Sequence, residues 1–384
     1  MSFKGIILRV NIKFKMKNKS KIAVVHGFLD NIGGAEKLAL TVAKEIGADV
    51  ITTNVDIQAV RKMGFQNVKI ISIGKVPKMA PFRQQKTNYL FRTKKIPCYD
   101  VYIVIGDWAM GSLVKNKPNI WYIQSPIREI WDLYESTRKI KVKFWERPLF
   151  DMWVKYNRYL SRKYVGHANI LLTNSKNTQA RLKKFLNKDS EIVHPGTDLS
   201  RLKYKQNGDY WLAVNRLIDH KRVHLQMQTF TKMSTEKLVI VGSYEDARQF
   251  KDYKNYVESI KPSNVEIRSF VSDEELCDLY ANCKAFITTA KDEDYGMTPV
   301  EAMAAGKPVV ATNEGGYKET VVHGETGLLV NADVDELVKA VKEISKNPKK
   351  YRFACEKRAK LFSKEICAQQ IMNEVKKLIG DKNK

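Results

Sequence analysis

The chain's 384 residues suffice for two ordinary domains, and 43% apolar side chains exclude wholesale disorder. A formal charge of +25 implies an anionic partner or surface. The five cysteines, Cys98, Cys277, Cys283, Cys355 and Cys367, form no C-x-x-C pair, which argues against a disulfide frame or a zinc site and fits a reducing compartment.

Residues 1–20 are a basic lead with six Lys or Arg and no acid, read as an anchor or a tail. Its apolar stretch Gly5-Ile6-Ile7-Leu8 is too short for a signal peptide. Nowhere does an apolar run reach the roughly 18 to 20 residues that cross a bilayer. The chain is therefore expected to be soluble or peripheral, cytoplasmic, on the inner face of a membrane. From residue 21 a buried strand (21–26) leads through Gly33-Gly34 into an amphipathic helix (35–46). Strand-like runs recur at 49–52, 68–73, 101–105, 120–124 and 168–173, and that alternation predicts a doubly wound α/β domain over 21–195. Between them, residues 131–163 read as a long aromatic and basic helix. A polar linker at 196–208 contains Pro, Gly and Asp turn signals nearby. The rhythm then restarts with strands at 210–214, 237–241, 265–268, 285–288, 308–311 and 327–330, which predicts a second α/β domain over 209–362. The last segment, 363–384, reads as a helix with no following strand, able to cross back onto the first domain.

Two parallel-sheet domains create a cleft at the carboxyl ends of their strands, where such folds bind ligands. Directly after the strand at 285–288, Glu293 and Glu301 stand in an E-x7-E arrangement around Tyr295-Gly296. Thr298 is expected to cap a helix whose first position is Pro299, and Thr298 to Glu301 also reads as a capping box. The free N–H groups of such a helix start, with a glycine ahead of them, form a phosphate cradle. Carboxylates beside that cradle would repel phosphates unless they face hydroxyl groups, which points to a sugar nucleotide.

Several motifs in order resemble one family. Gly33-Gly34-Ala35-Glu36 is similar to its glycine-rich loop, Arg216 to Lys221 to its R-x4-K element and Glu293 to Glu301 to its E-x7-E element. Asn313-Glu314-Gly315-Gly316 and Gly324 to Val330 are similar to its two later glycine motifs. From Lys21 onward the chain resembles a retaining glycosyltransferase of family 4, mannosyltransferase-like, with the two-domain GT-B fold. That resemblance implies that Arg216 and Lys221 neutralise the leaving diphosphate, doing the work of a metal ion. Glu293 would hold donor-sugar hydroxyls and Glu301 the ribose. Tyr295, Gly296, Met297 and Thr298 would lie around the phosphates, and Gly33 and Gly34 would admit the donor or acceptor to the first domain's backbone. Neither a metal nor any other cofactor is implied, although Asp292-Glu293-Asp294 has the form of the D-x-D metal motif of another glycosyltransferase fold. The resemblance also compares Trp121 to Tyr134 with a segment in which the position of Gln124 is usually histidine. Gln124 and Asp107 are carried as catalytic candidates, and Asp107 and His26 as residues orienting the acceptor hydroxyl.

The implied reaction moves a hexose, mannose before glucose, from a nucleotide sugar, GDP-mannose before UDP-glucose. Aromatic and basic residues interleaved over 131–164 suit an anionic membrane surface, so a lipid-linked or other glycan acceptor is expected there. Two alternatives stay open: a DNA-modifying glucosyltransferase, to which the charge would also suit a nucleic acid partner, and a non-catalytic nucleotide-sugar or nucleic-acid binding module.

Overall fold

The computed structural model describes residues 20–244, 251–269 and 271–380, so the basic lead, apart from Ser20, lies outside the described residues. The strands are Ile22–His26 (β1), Asp49–Thr52 (β2), Ile70–Ser72 (β3), Val101–Ile105 (β4), Asn119–Ile123 (β5), Ile170–Thr173 (β6) and Glu191–Ile192 (β7). The second set is Tyr210–Val214 (β8), Lys237–Val241 (β9), Val265–Arg268 (β10), Ala285–Thr288 (β11), Val309–Thr312 (β12) and Gly327–Val330 (β13). The first seven form one parallel sheet in the order β3-β2-β1-β4-β5-β6-β7, and the other six form a second, β10-β9-β8-β11-β12-β13.

The central strands are apolar along their length because helices cover both faces of each sheet. In the first sheet, Val24, Ile103 and Tyr122 point into one core, while Ala23, Val104 and Trp121 point into the core on the opposite face. The alternation follows from the two-residue period of a strand. Each sheet reverses its strand order once, between β1 and β4 in the first and between β8 and β11 in the second. The loops that leave these strands at their carboxyl ends flank the two crevices in which doubly wound folds take ligands.

The two-domain α/β architecture read from the sequence is the one found, with two local differences. Strand β7 is two residues long and half polar, too short to leave an alternating pattern. The segment 131–163 is not one helix. A 3₁₀ turn at Arg128–Ile130, irregular turns from Tyr134 to Glu146 and a regular helix only at Arg147–Val165 replace it. Pro148 sits in that helix's first turn, where its missing N–H costs nothing, and so marks the start. The last helix, Lys364–Gly380, packs on the first domain, with Cys367, Ile371, Met372 and Val375 buried against Leu38 and Val42. Where the chain crosses between the halves its two passages pair: Thr197 N–H donates to Phe362 O at 2.9 Å, and Lys364 N–H donates to Thr197 O at 3.1 Å.

Candidate functional site

The loops at the second switch point carry the cations and carboxylates singled out above. After β8, Arg216 lies exposed at the crevice, and a 3₁₀ turn at Asp219–Lys221 directs Lys221 toward the loop after β11. There its Nζ meets Glu293 Oε2 at 2.6 Å, with both side chains only 18% exposed. Thr289 fixes the turn, its hydroxyl lying 3.0 Å from the carbonyls of both Lys221 and Arg222. Burial pushes the Glu293 carboxyl upward, but Lys221, Arg128 and Arg216 outweigh it and hold the group ionised below its ordinary value. His220, buried beside Lys221, Arg216, Arg128 and Lys141, is driven down to about 2 and stays neutral.

The helix start expected to form a phosphate cradle comes two residues earlier than the sequence indicates. The helix runs Met297–Ala304 with Gly296 as its N-cap in the left-handed region (φ 88°), so Thr298 lies inside the first turn and makes no capping bond. A side chain at Gly296 would strike the Tyr317 ring, and this decides in favour of glycine over threonine at the cap. The capping box does not form either. Glu301 instead accepts the Tyr280 hydroxyl at 2.8 Å, and burial raises its carboxyl against the influence of Lys37 and that hydrogen bond. A cavity of about 270 Å³ opens beside Glu301 between the halves, bordered by Lys37, Thr41, Tyr280 and Met297. Tyr295 is placed differently from its neighbours: it is 2% exposed, its ring stacked on His194 at 5.4 Å.

Across the cleft, Gly33 caps the helix Gly34–Ile46, and a Cβ on Gly34 would fall on the terminal methyl of Met297. Two helix N-termini thus face the same space, one from each domain, and both favour negative charge. Gly315 (φ 55°) and Gly316 press against the backbone of residues 292–295, where any side chain would collide. Their glycines let one loop support another.

Sequence reasoning missed Arg181. It stands on the first domain's helix Lys176–Leu186, 6% exposed, and its guanidinium takes the carboxylates of Asp292 (2.6 Å) and Asp294, with Asp132 at 3.6 Å. The two acids of Asp292-Glu293-Asp294 are therefore ion-paired to an arginine from the opposite domain, and the acid between them to Lys221. Among the described residues no three His, Cys, Asp or Glu converge as metal ligands. The only available signal for Arg181 was a pair of acids flanking Glu293 that needed a cation, with nothing in the sequence to say which.

The first domain's switch point is sparser. His26, at the end of β1, donates from Nδ1 to Ile105 O at 2.9 Å, tying β1 to β4, and burial lowers its basicity. Asp107, half-buried after β4, is pushed up to about 8 by burial and by the charges of Asp294 and Glu129. Gln124, just past β5, accepts at its backbone carbonyl from Asn174 (2.7 Å) and Thr178 (3.3 Å), while its side-chain nitrogen is buried without a partner.

Residues 198–362 match the family model described as Glycosyl transferases group 1. Among curated proteins the chain is similar to the alpha-1,3/1,6-mannosyltransferase ALG2 of Candida glabrata, 25% identical over 93% of each chain. The mouse protein of the same description is 24% identical over 69% of each. Mannosylfructose-phosphate synthase of Agrobacterium fabrum is 26% identical over 48% of this chain and 45% of its own. Among solved structures, Anabaena HepE in complex with UDP-glucose superposes with a TM-score of 0.73 at 17% identity, covering 92% of this chain and 99% of that one. Sucrose-phosphate synthase of Thermosynechococcus elongatus gives 0.72 at 17% identity, over 94% of this chain and all of the other. At such identities the structures speak for the fold, and that fold is GT-B.

Proposed function

We propose that this chain, a glycosyltransferase of GT-B fold with a group 1 domain, moves a hexose from a nucleotide-diphosphate sugar to an acceptor hydroxyl, with retained anomeric configuration and without a metal ion. The observation that carries the reading is the Lys221–Glu293 pair at the second switch point, between exposed Arg216 and the helix start at Met297. As the bond from the sugar's anomeric carbon to the diphosphate breaks, charge grows on the leaving oxygen. Arg216, Lys221 and the helix N–H groups would stabilise it, with Lys221 already oriented by its ion pair. The acceptor oxygen attacks on the same face, and its proton passes to the departing diphosphate. Glu293 accepts from sugar hydroxyls, and Glu301, beside the cavity, accepts from the ribose. With Asp292 and Asp294 ion-paired to Arg181, fixed cations supply the charge that a D-x-D site would take from a metal.

Mannose is favoured over glucose, and GDP-mannose over UDP-glucose, on the mannosyl transfer named for the Candida and mouse relatives. A lipid-linked or other glycan acceptor at an anionic membrane is supported by one surface of the first domain. Phe144, Trp145, Leu149, Met152, Tyr156 and Tyr159 are all more than half exposed there, among Lys139, Lys143, Lys155 and Lys163. Apolar rings and cations together match the headgroup layer of anionic lipids.

A panel of GDP, UDP, GDP-mannose and UDP-glucose scored by thermal shift, then by transfer with and without a chelator, tests the reading, since ligand binding raises apparent stability. GDP is expected to raise the melting temperature and GDP-mannose to be turned over in the chelator's presence. Binding without turnover, unaltered by Glu293→Ala, would instead support a non-catalytic module. Salt-sensitive binding of duplex DNA, with no binding to anionic vesicles, would support the DNA-modifying alternative.

A further inference from the structure

The loop that carries Glu293 belongs to the second domain, where Gly316 N–H donates to Glu293 O at 2.7 Å and Asp292 N–H to Glu314 Oε2 at 3.0 Å, yet the first domain grips it as well. Three consecutive carbonyls, those of Asp292, Glu293 and Asp294, accept in turn from Arg181 Nη2 (2.7 Å), Asn177 Nδ2 (2.9 Å) and the Ser175 hydroxyl. All three donors lie in or just before one helix, Lys176–Leu186. The same helix is held at its N-terminus by the second domain: the Glu319 carboxylate takes the backbone N–H groups of Lys176 (2.9 Å) and Asn177 (3.2 Å), a placement that the helix dipole favours. Arg181 completes the clasp by binding both carboxylates that flank Glu293. Its planar fork reaches two acids at once, which a lysine cannot reproduce.

None of these bonds between the domains survives if the halves separate. In an open cleft the three carbonyls would lose their first-domain donors and Asp292 and Asp294 their shared cation, so the backbone from which Glu293 reaches Lys221 would be held by the second domain's own bonds alone. We propose that Arg181 is a positioning residue that makes the aim of Glu293 conditional on cleft closure, so that the sugar-binding carboxylate is presented only when the two domains have met. This rests on the reading that Glu293 contacts the donor sugar. Closure and donor engagement are then reciprocally coupled: whatever favours one favours the other.

The test uses the whole chain with Arg181→Met, Arg181→Lys and Asn177→Ala. Turnover of the nucleotide sugar, calorimetric affinity for GDP and UDP alone, and the radius of gyration by small-angle scattering with and without nucleotide are the readouts. Arg181→Met is expected to lower kcat about 10- to 100-fold, in the range seen when a group that fixes catalytic geometry is lost. Affinity for the nucleotide diphosphate should fall by a smaller factor than kcat, because its proposed contacts lie on the second domain and it loses only the share that closure contributes, and the radius of gyration should rise. Arg181→Lys should restore part of the turnover. If Arg181→Met does not fold, Asn177→Ala carries the same expectation at smaller size. Unchanged kcat in both variants, or equal losses of nucleotide affinity and turnover, would overturn the clasp. If the wild-type chain turns over none of the sugars while Arg181→Met still abolishes nucleotide-induced compaction, the clasp stands and the transferase reading fails.

Discussion

The two sheets share one strand order, but their switch points are furnished in opposite ways. In the second domain nearly every charged group at the crevice has a partner: Lys221 with Glu293, Arg222 with Glu314 at 2.9 Å, Tyr280 with Glu301. In the first, Gln124 buries an amide nitrogen with no partner and Asp107 keeps its proton to about 8. A crevice whose groups are already oriented suits a ligand of fixed charge and shape, such as a diphosphate. One whose carboxyl carries no cation partner and holds its proton suits a neutral, hydroxyl-bearing partner, as an acceptor would.

This contrast can be broken most forcefully at the paired site. Lys221→Ala and Glu293→Ala should each cost about 10²–10³ in turnover, the usual loss when one preorganised electrostatic group is removed. Single-turnover rates at saturating donor check this, and a loss under tenfold in both would deny the second crevice its role. Gln124→Ala should cost less, about 2- to 10-fold, on the scale of one neutral hydrogen bond, and should appear in the acceptor's KM more than the donor's. A purely donor-side effect would erase the distinction between the crevices. Tyr280→Phe removes the hydroxyl held by Glu301 and should weaken nucleotide binding by about 0.5–1.5 kcal/mol, read by calorimetry, with kcat unchanged.

Asp107 bears on stability rather than turnover, with a defined sign. Its carboxyl is raised from an ordinary value of 3.8 to about 8, so between those pH values the folded state holds a proton that the unfolded chain has released. Stability from this group therefore falls as pH climbs from about 4 to 8 and is level above. Asp107→Asn should gain in relative stability over that interval, measured by urea unfolding at pH 4.5 and 8. An equal difference at both would mean that the carboxyl is not raised.

Particular residues show what the sequence could and could not disclose. Strands such as Trp211-Leu212-Ala213 and Leu238-Val239-Ile240 were legible because a parallel strand covered on both faces must be apolar throughout. The E-x7-E spacing and the R-x4-K element were legible because each is a short local span, running from a loop into the turn or helix that follows it. The N-cap was misread because Thr298-Pro299 carries the usual local signal, whereas the close approach of Tyr317, which admits only Gly296, is tertiary. Arg181 left no trace for a similar reason: its partners lie 111 and 113 residues away, on the other domain. Residues 131–146 mix aromatic and basic side chains at spacings that mimic a helix, while packing around Trp131 and Arg158 bends the backbone into short turns.

The returning helix Lys364–Gly380 has a practical outcome for anyone who wishes to dissect the molecule. Ile371, Met372 and Val375 each contribute about 1.5–3 kcal/mol by being fully buried, and they are buried against residues numbered in the thirties and forties. Cutting at the boundary near residue 196 would therefore yield an amino-terminal fragment with an uncovered apolar face and a carboxyl-terminal fragment trailing an unpartnered greasy helix. Either half is better obtained by fusing the helix Lys364–Gly380 back onto the first lobe.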